Sequence, residues 1–377
     1  MKNLAWTLAL RFLFFIAIVL LFAYISYGQS IKNYKFPNDY RGIIHLHSEL
    51  SHDSDGKFED IVEAGKNNQI DFVVMTDHWS PELYEKSKKG FFENILFIAG
   101  AEISKNEGIT ILALPLPNNF TPEDDWKRNV ASLRKQGSLA LANHIEFSET
   151  GQLVALDGIE IINLHAHILQ QSKLGLIYTY FQALLPWNWN LAYIFNDVPN
   201  LPRWRYLNQY EPLPAFAGND THDNYRLFYK IGPKLGSYDN TFKLITTHIW
   251  ANELSEKSVI ESVKNGQSYF AFEIFGKSKG FRFYAINNES VFLPGSIVSQ
   301  TREKETKNQK TILTVQAPPH ANPRDTTLRI LKNGKAIKEG RGILLIEEIS
   351  EPGVYYAEIW KDGKPWIFSN SIKIVDR

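Results

Sequence analysis

Seven apolar runs punctuate residues 42–222, and polar residues gather at their ends. They read GIIHLH (42–47), IDFVVMTDH (70–78), ILFIAGAEIS (95–104), GITILALP (108–115), SLALANH (138–144), GIEIINLH (158–165) and PAFAGNDTH (214–222). Continuous apolar runs of this length are typical of parallel strands buried on both faces. Between several of them the period becomes helical. KFEDIVEAGKNN (57–68) puts Phe58, Ile61, Val62 and Gly65 on one side, and DDWKRNVASLRKQG (124–137) ends at Gly137, a helix stop. Alternating strand and helix signals predict α/β architecture.

The pattern changes after about residue 278. ELSEKSVIESVKNGQSYFAF reads as a helix stopped by Gly266 and then a strand that closes the first unit. TILTVQA, TLRILKNGKAI and GVYYAEIWKDGKPWIFSNSIKIV are β-rich, and KNGK and KDGK carry hairpin signals. The expected division is an α/β unit over 40–277 and a small all-β sandwich-like unit over 278–377.

Two longer apolar stretches stand apart. Lys2 and Arg11 precede an uncharged run from Phe12 to Tyr27, with small residues Ser26 and Gly28 at its end at plausible cleavage spacing. Residues 1–28 therefore read as a signal peptide or a membrane anchor, either of which places the rest of the chain beyond the cytoplasmic membrane. Leu174–Phe195 also lacks charge, but Gln182, Pro186, Asn188 and Asn190 weaken a spanning reading. A buried or interfacial aromatic insertion is expected there instead.

Composition narrows the chemistry. The 377 residues have no cysteine, so disulfides and thiolate metal sites are excluded. Forty-one basic residues balance 41 acidic ones, which argues against a nucleic-acid partner. Any metal must be held by His, Asp and Glu.

Those residues lie at strand ends, the end that carries the active site in α/β barrels. His45 and His47, two apart on a strand, point the same way. His52, Asp53 and Asp55 follow. Later runs contribute Asp77 and His78, Glu102, His144, and Asp220 with His222. A solvated loop explains one such ending easily; on most strands together, metal binding explains it better.

The order HxH, TDH, isolated Glu, His and DxH resembles the PHP (polymerase and histidinol phosphatase) superfamily over about residues 40–275. HSELSHDSDG and AGNDTHD look most like its CehA/McbA-like metallohydrolase branch. The resemblance implies a distorted (β/α)7 barrel. It also implies that His45, His47, His78, Glu102, His144, Asp220 and His222 are metal ligands, joined by Asp53 in preference to His52 or Asp55. Asp77 and His52 are expected to orient ligands or relay protons. Some relatives carry another histidine before the position of His144; here EGITILALP has none, so two ions are expected rather than three. The family more often shows Asn after the sixth strand, as at Asn163, which leaves His165 open as a ligand.

Nitrogen and oxygen donors without sulfur suit Zn²⁺, Mn²⁺ or Fe. Two divalent ions outweigh the charge of Asp53, Glu102 and Asp220, so a small anionic substrate, foremost a phosphate ester, suits the centre. A carboxylic ester or carbamate hydrolase is the alternative, and a non-catalytic metal-binding module the third reading. Lys88, Lys89, Arg203 and Arg205 are candidate phosphate contacts, and the aromatic stretch 178–210 a candidate apolar pocket.

Overall fold

The computed structural model describes residues 34–104, 108–170, 197–224, 226–228, 231–234, 236–300 and 310–376. The expected export segment 1–28 and the uncharged stretch 174–195 lie outside the described residues. Among the described residues no helix is long and apolar enough to cross a membrane.

Each apolar run forms a strand. They are β1 (Asn38–Leu46), β2 (Phe72–Met75), β4 (Ile95–Ala99) continued by β5 (Ala101–Ile103), β6 (Thr110–Leu114), β7 (Leu139–Asn143), β8 (Gly158–Asn163) and β9 (Ala215–Thr221). A short strand, β3 (Gly90–Phe92), precedes β4 as the first arm of a hairpin. Parallel pairs join β1 to β2, β2 to β4, β7 to β8, β8 to β9 and β9 back to β1. Antiparallel pairs join β5 to β6 and β6 to β7. The sheet thus closes on itself with β6 running against its neighbours. The fourth run was expected to be parallel. Only six residues separate Ile103 from Thr110, whereas a parallel crossover needs a dozen or more.

Gly100 lets β4 bend into β5 without leaving β2. Its N–H donates to the Met75 carbonyl at 2.7 Å, and a Cβ there would sit 2.6 Å from the Ala113 carbonyl. No other residue allows three backbones to approach so closely. Beyond the bend, His78 and Glu102 form an isolated parallel bridge.

The described helices are α1 (Phe58–Asn67), α2 (Leu83–Lys86), α3 (Trp126–Lys135), α4 (Thr150–Leu153), α5 (Leu164–Leu169), α6 (Leu201–Leu207), α7 (Tyr238–Thr241) and α8 (Glu256–Asn265). None is described between β5 and β6, and several span a single turn, so a full seven-fold strand–helix alternation is not realised among the described residues. The longer ones follow their sequence signals. Asp125 caps α3, and Ser255 caps α8 before Gly266 ends it in a left-handed conformation.

Ile44, Phe72, Val74, Leu96, Ile98, Leu112, Leu114, Leu139, Leu141 and Phe216 form one cluster that fills the ring. Ile43, Leu46, Val73 and Met75 pack outward against Ile61 and Ala64 of α1. Burial on both faces is what makes these strands continuously apolar.

The chain after β9 leaves the ring. β10 (Arg226–Phe228) and β11 (Ile231–Lys234) form a hairpin. β12 (Ile245–Ala251) pairs antiparallel with the start of β1, and β13 (Ser268–Phe272) pairs with β12. Strand 364–369 then pairs with β13, so the later β-rich part continues the same sheet. Strands 282–287, 290–292, 311–316 and 344–349 form a separate antiparallel sheet. Phe283, Leu313 and Val315 of that sheet pack against Ile330, Tyr355, Ile359 and Trp366. The chain is a mixed α/β fold: one large mixed sheet, closed at the ring, and one separate antiparallel sheet.

Candidate metal centre

His45 should alternate away from Ile44, yet both face inward. The β1–β9 register shifts between Ile44 and Leu46, and His45 has φ 67°. On the facing strand Asp220 has φ 50°, and His144 at the end of β7 has φ 47°. Left-handed backbone at non-glycine residues costs about 1–3 kcal/mol each and concentrates where function requires a direction. Here it turns three side chains into one mouth.

Two groups of donors result. The ligand atoms of His45, His47, Glu102 and Asp220 lie within 4.8 Å of one another, all buried. His47 Nε2 is 3.2 Å from Glu102 Oε2 and 3.1 Å from Asp220 Oδ1, and His45 Nε2 is 3.6 and 3.3 Å from the same oxygens. The second group, nearer solvent, is His47, Asp53, His78 and His222. Asp53 Oδ2 lies 3.0 Å from His78 Nε2 and 3.3 Å from His222 Nε2. Glu102 links the two, its Oε2 being 3.3 Å from His78 Nδ1. His144 reaches the far oxygens, 3.5 Å from Glu102 Oε1 and from Asp220 Oδ2, with Glu146 3.6 Å from its Nδ1.

The hydrogen bonds behind the histidines fix their tautomers. His45 Nδ1 lies 2.7 Å from Glu160 Oε1 and His222 Nδ1 2.9 Å from the Asp220 carbonyl, so each nitrogen must carry the proton. The Ser51 hydroxyl donates to Asp77 Oδ1 at 2.8 Å, leaving its oxygen to accept from His47 Nδ1 at 3.0 Å. In the neutral ring each Nε2 then offers a lone pair to the centre. The buried Nε2 atoms of His45 and His47, Asp53 Oδ1 and Asp220 Oδ1 make no hydrogen bond among the described residues. Buried donors and acceptors rarely stay unpartnered. Three of these four atoms, His45 Nε2, His47 Nε2 and Asp220 Oδ1, face one another inside the buried group and fit a divalent cation, as does its set of imidazole and carboxylate donors.

Electrostatics agree. Burial opposes charge on His47, but the adjacent Asp220 and Glu102 carboxylates raise its pKa to about 9. His45, against the same burial, is held well above its ordinary value by Asp220 and Glu160. Burial would raise Glu102, yet the two histidines hold it well below the carboxylate range, and Asp220 is lowered likewise. His222 falls to about 4 through burial and the neighbouring His47 charge. Without an ion, protons on His45 and His47 therefore take the place of positive charge.

Every residue expected to bind metal sits at this mouth: His45, His47, Asp53, His78, Glu102, His144, Asp220 and His222. The two residues expected to orient ligands or relay protons, Asp77 and His52, lie behind and beside the donors. Asp77 is buried and accepts from Ser48 N, Ser48 Oγ and Ser51 Oγ, acting on His47 only through Ser51. His52 is exposed, its ring centroid 4.8 Å from that of His78. Asp55 is also exposed, while Asn224 and the turn around Ser54 direct Asp53 inward. His165 lies beside His222, with ring centroids 5.0 Å apart. Asn163 donates to both Glu160 and Asp220. Sequence reasoning missed Glu160, Ser51 and Asn143, whose side chain donates to Glu102 Oε1 at 2.6 Å. A lone glutamate inside the apolar run GIEIIN was the available signal for the first.

The four candidate phosphate contacts are not gathered at the centre. Arg203 donates to the carbonyls of Ile145 and Ser148, and Arg205 pairs with buried Glu358. Lys89 lies over the Tyr84 ring, and Lys88 is exposed.

Comparison with protein families finds no family that matches, and comparison with curated proteins finds none. Comparison with solved structures finds seven matching chains. Among them is endonuclease Q in complex with a 27-mer duplex substrate carrying an abasic lesion at the active site. It is 14% identical at a TM-score of 0.34, covering 60% of this chain and 56% of that one. The chain thus matches a little over half the length of that endonuclease chain.

Proposed function

We propose that the chain is a metal-dependent hydrolase of the PHP superfamily, in its CehA/McbA-like branch, acting on a small organic phosphate ester. The observation that carries this reading is the convergence of unpartnered buried atoms from His45, His47 and Asp220 in a group completed by Glu102. Two divalent ions, Zn²⁺, Mn²⁺ or Fe, fit the two donor groups. Ions held there supply Lewis acidity toward water and toward an ester oxygen. The closed ring is read as the superfamily's distorted (β/α)7 barrel, with units at 40–277 and 278–377.

The chain's own residues do the rest. Glu102 Oε2 faces His45, His47 and His78 and so spans the two donor groups, while Glu102 Oε1 and Asp220 Oδ2 both face His144. Asp77, through Ser51, holds His47 with Nε2 toward the centre. The apolar filling of the ring below keeps water to the open side. His52 and His165 flank the outer donors His78 and His222.

An ester or carbamate substrate is the second reading. It is favoured by the engagement of Arg203 and Arg205 elsewhere, which leaves neither to clamp a phosphate. The balanced charge supports a small-molecule substrate rather than nucleic acid. Residues 1–28 support export or membrane anchoring. A panel of p-nitrophenyl phosphate, carboxylic esters and carbamates, assayed with Mn²⁺ and with Zn²⁺, tests the assignment. Phosphoesterase turnover is expected; ester or carbamate turnover alone would replace the phosphate reading, and no metal-dependent turnover of any of them would sink both.

A further inference from the structure

Glu160 is a buried carboxylate that the reaction does not use directly. It is 1% exposed in the middle of β8. Its Oε1 accepts from His45 Nδ1 at 2.7 Å. Its Oε2 accepts from the His144 backbone N–H at 3.2 Å and from Asn163 Nδ2 at 3.1 Å. The same Asn163 amide donates to Asp220 Oδ2 at 3.0 Å. One side chain therefore touches the supports of His45, His144 and Asp220 together.

The space for it is built. On the neighbouring strand, a Cβ at Gly218 would lie 1.6 Å from Glu160 Oε1. Any larger residue would push the carboxylate off His45. His47, by contrast, is reached by Asp77 only through the Ser51 hydroxyl. The two histidines of the pair thus have unlike supports: a charge in direct contact for His45, a neutral hydroxyl for His47.

We propose that Glu160 is a positioning residue of the metal centre, fixing His45 as the Nδ1–H tautomer and strengthening its Nε2 as a ligand. This rests on the reading of the cluster as a metal centre. The physical reason is that a neutral imidazole has one N–H. Donating it to a carboxylate at Nδ1 leaves the lone pair at Nε2 and pushes electron density toward it. Partners of this kind change metal affinity by about 10–100-fold. Glutamine keeps the shape but loses the charge. Its NH₂ group must also face either His45 Nδ1–H or the pair of donors, the His144 N–H and the Asn163 amide, and can accept from neither.

Wild-type and Glu160→Gln protein, stripped of metal, would be titrated with Co²⁺ and followed by its visible absorption. Long-range ¹H–¹⁵N spectra of histidine-labelled, Zn²⁺-loaded wild type would report the His45 tautomer without relying on the variant. The expected results are a loss of Co²⁺ affinity of about 10–100-fold in Glu160→Gln and a His45 proton on Nδ1. Equal affinity in a folded Glu160→Gln, or a wild-type proton on His45 Nε2, would overturn the positioning role alone. A wild-type protein that takes up no Co²⁺ would overturn the metal centre with it.

Discussion

Metal uptake by the stripped protein should expel protons, and the structure gives their approximate number. His47 titrates at about 9 when no ion is present, and His45 well above its ordinary 6.5. Near neutral pH both rings are protonated, while Glu102 and Asp220 are charged throughout. An ion bound by both Nε2 atoms must displace both protons, so about two are released per ion. His222, lowered to about 4, is already neutral and adds none. The logarithm of affinity should rise with pH at a slope of about two through the neutral range, and the slope should fall once pH exceeds the His47 value of about 9. Stability follows the same sign. A histidine raised from 6.5 to about 9 stabilises the metal-free fold fully below pH 6.5, and that contribution fades as pH rises through about 9. At ~1.4 kcal/mol per pKa unit, it is about 3 kcal/mol. Calorimetric titration with Co²⁺ at one pH in two buffers of different ionisation enthalpy counts the protons directly. Absence of proton release at neutral pH would refute the reasoning.

Other expectations follow from buried contacts. Gly218→Ala should lower stability by about 1–3 kcal/mol, because its Cβ meets Glu160 at 1.6 Å, and a thermal melt measures it; an unchanged melt would mean that Glu160 moves freely. Glu273 is lowered from 4.5 to about 2, despite burial, by its bond to His248 and the Arg41 charge, so its stabilisation is complete above 4.5 and lost as pH falls toward 2. Glu273→Gln should therefore flatten the acid limb of the stability curve, measured by denaturant unfolding; an equally steep limb would contradict this.

Much of the site was legible because strand ends are exposed to one constraint only. A run buried on both faces has no reason to end in His or Asp unless that end does something, and GIIHLH, TDH and GNDTH do so. What lay behind those residues was not legible. Glu160 sits within an apolar run, and no periodicity tells which face it takes when both are buried. Ser51 and Asn143 look like ordinary polar residues until the fold brings Asp77 and Glu102 against them. The reversed direction of β6 was hidden for a related reason: hydrophobicity is the same read either way, and only the short link from Ile103 to Thr110 carries the information.

The central claim is that His45, His47, Glu102 and Asp220, with Asp53, His78 and His222, form a metal centre. Elemental analysis of protein purified without chelator, beside Glu102→Ala purified identically, tests it most directly. The account predicts about two divalent ions per chain in the wild type, set by the two donor groups, and loss of metal from a still-folded Glu102→Ala. Wild-type protein that carries no divalent metal and takes none up on addition, yet hydrolyses its substrate, would contradict it.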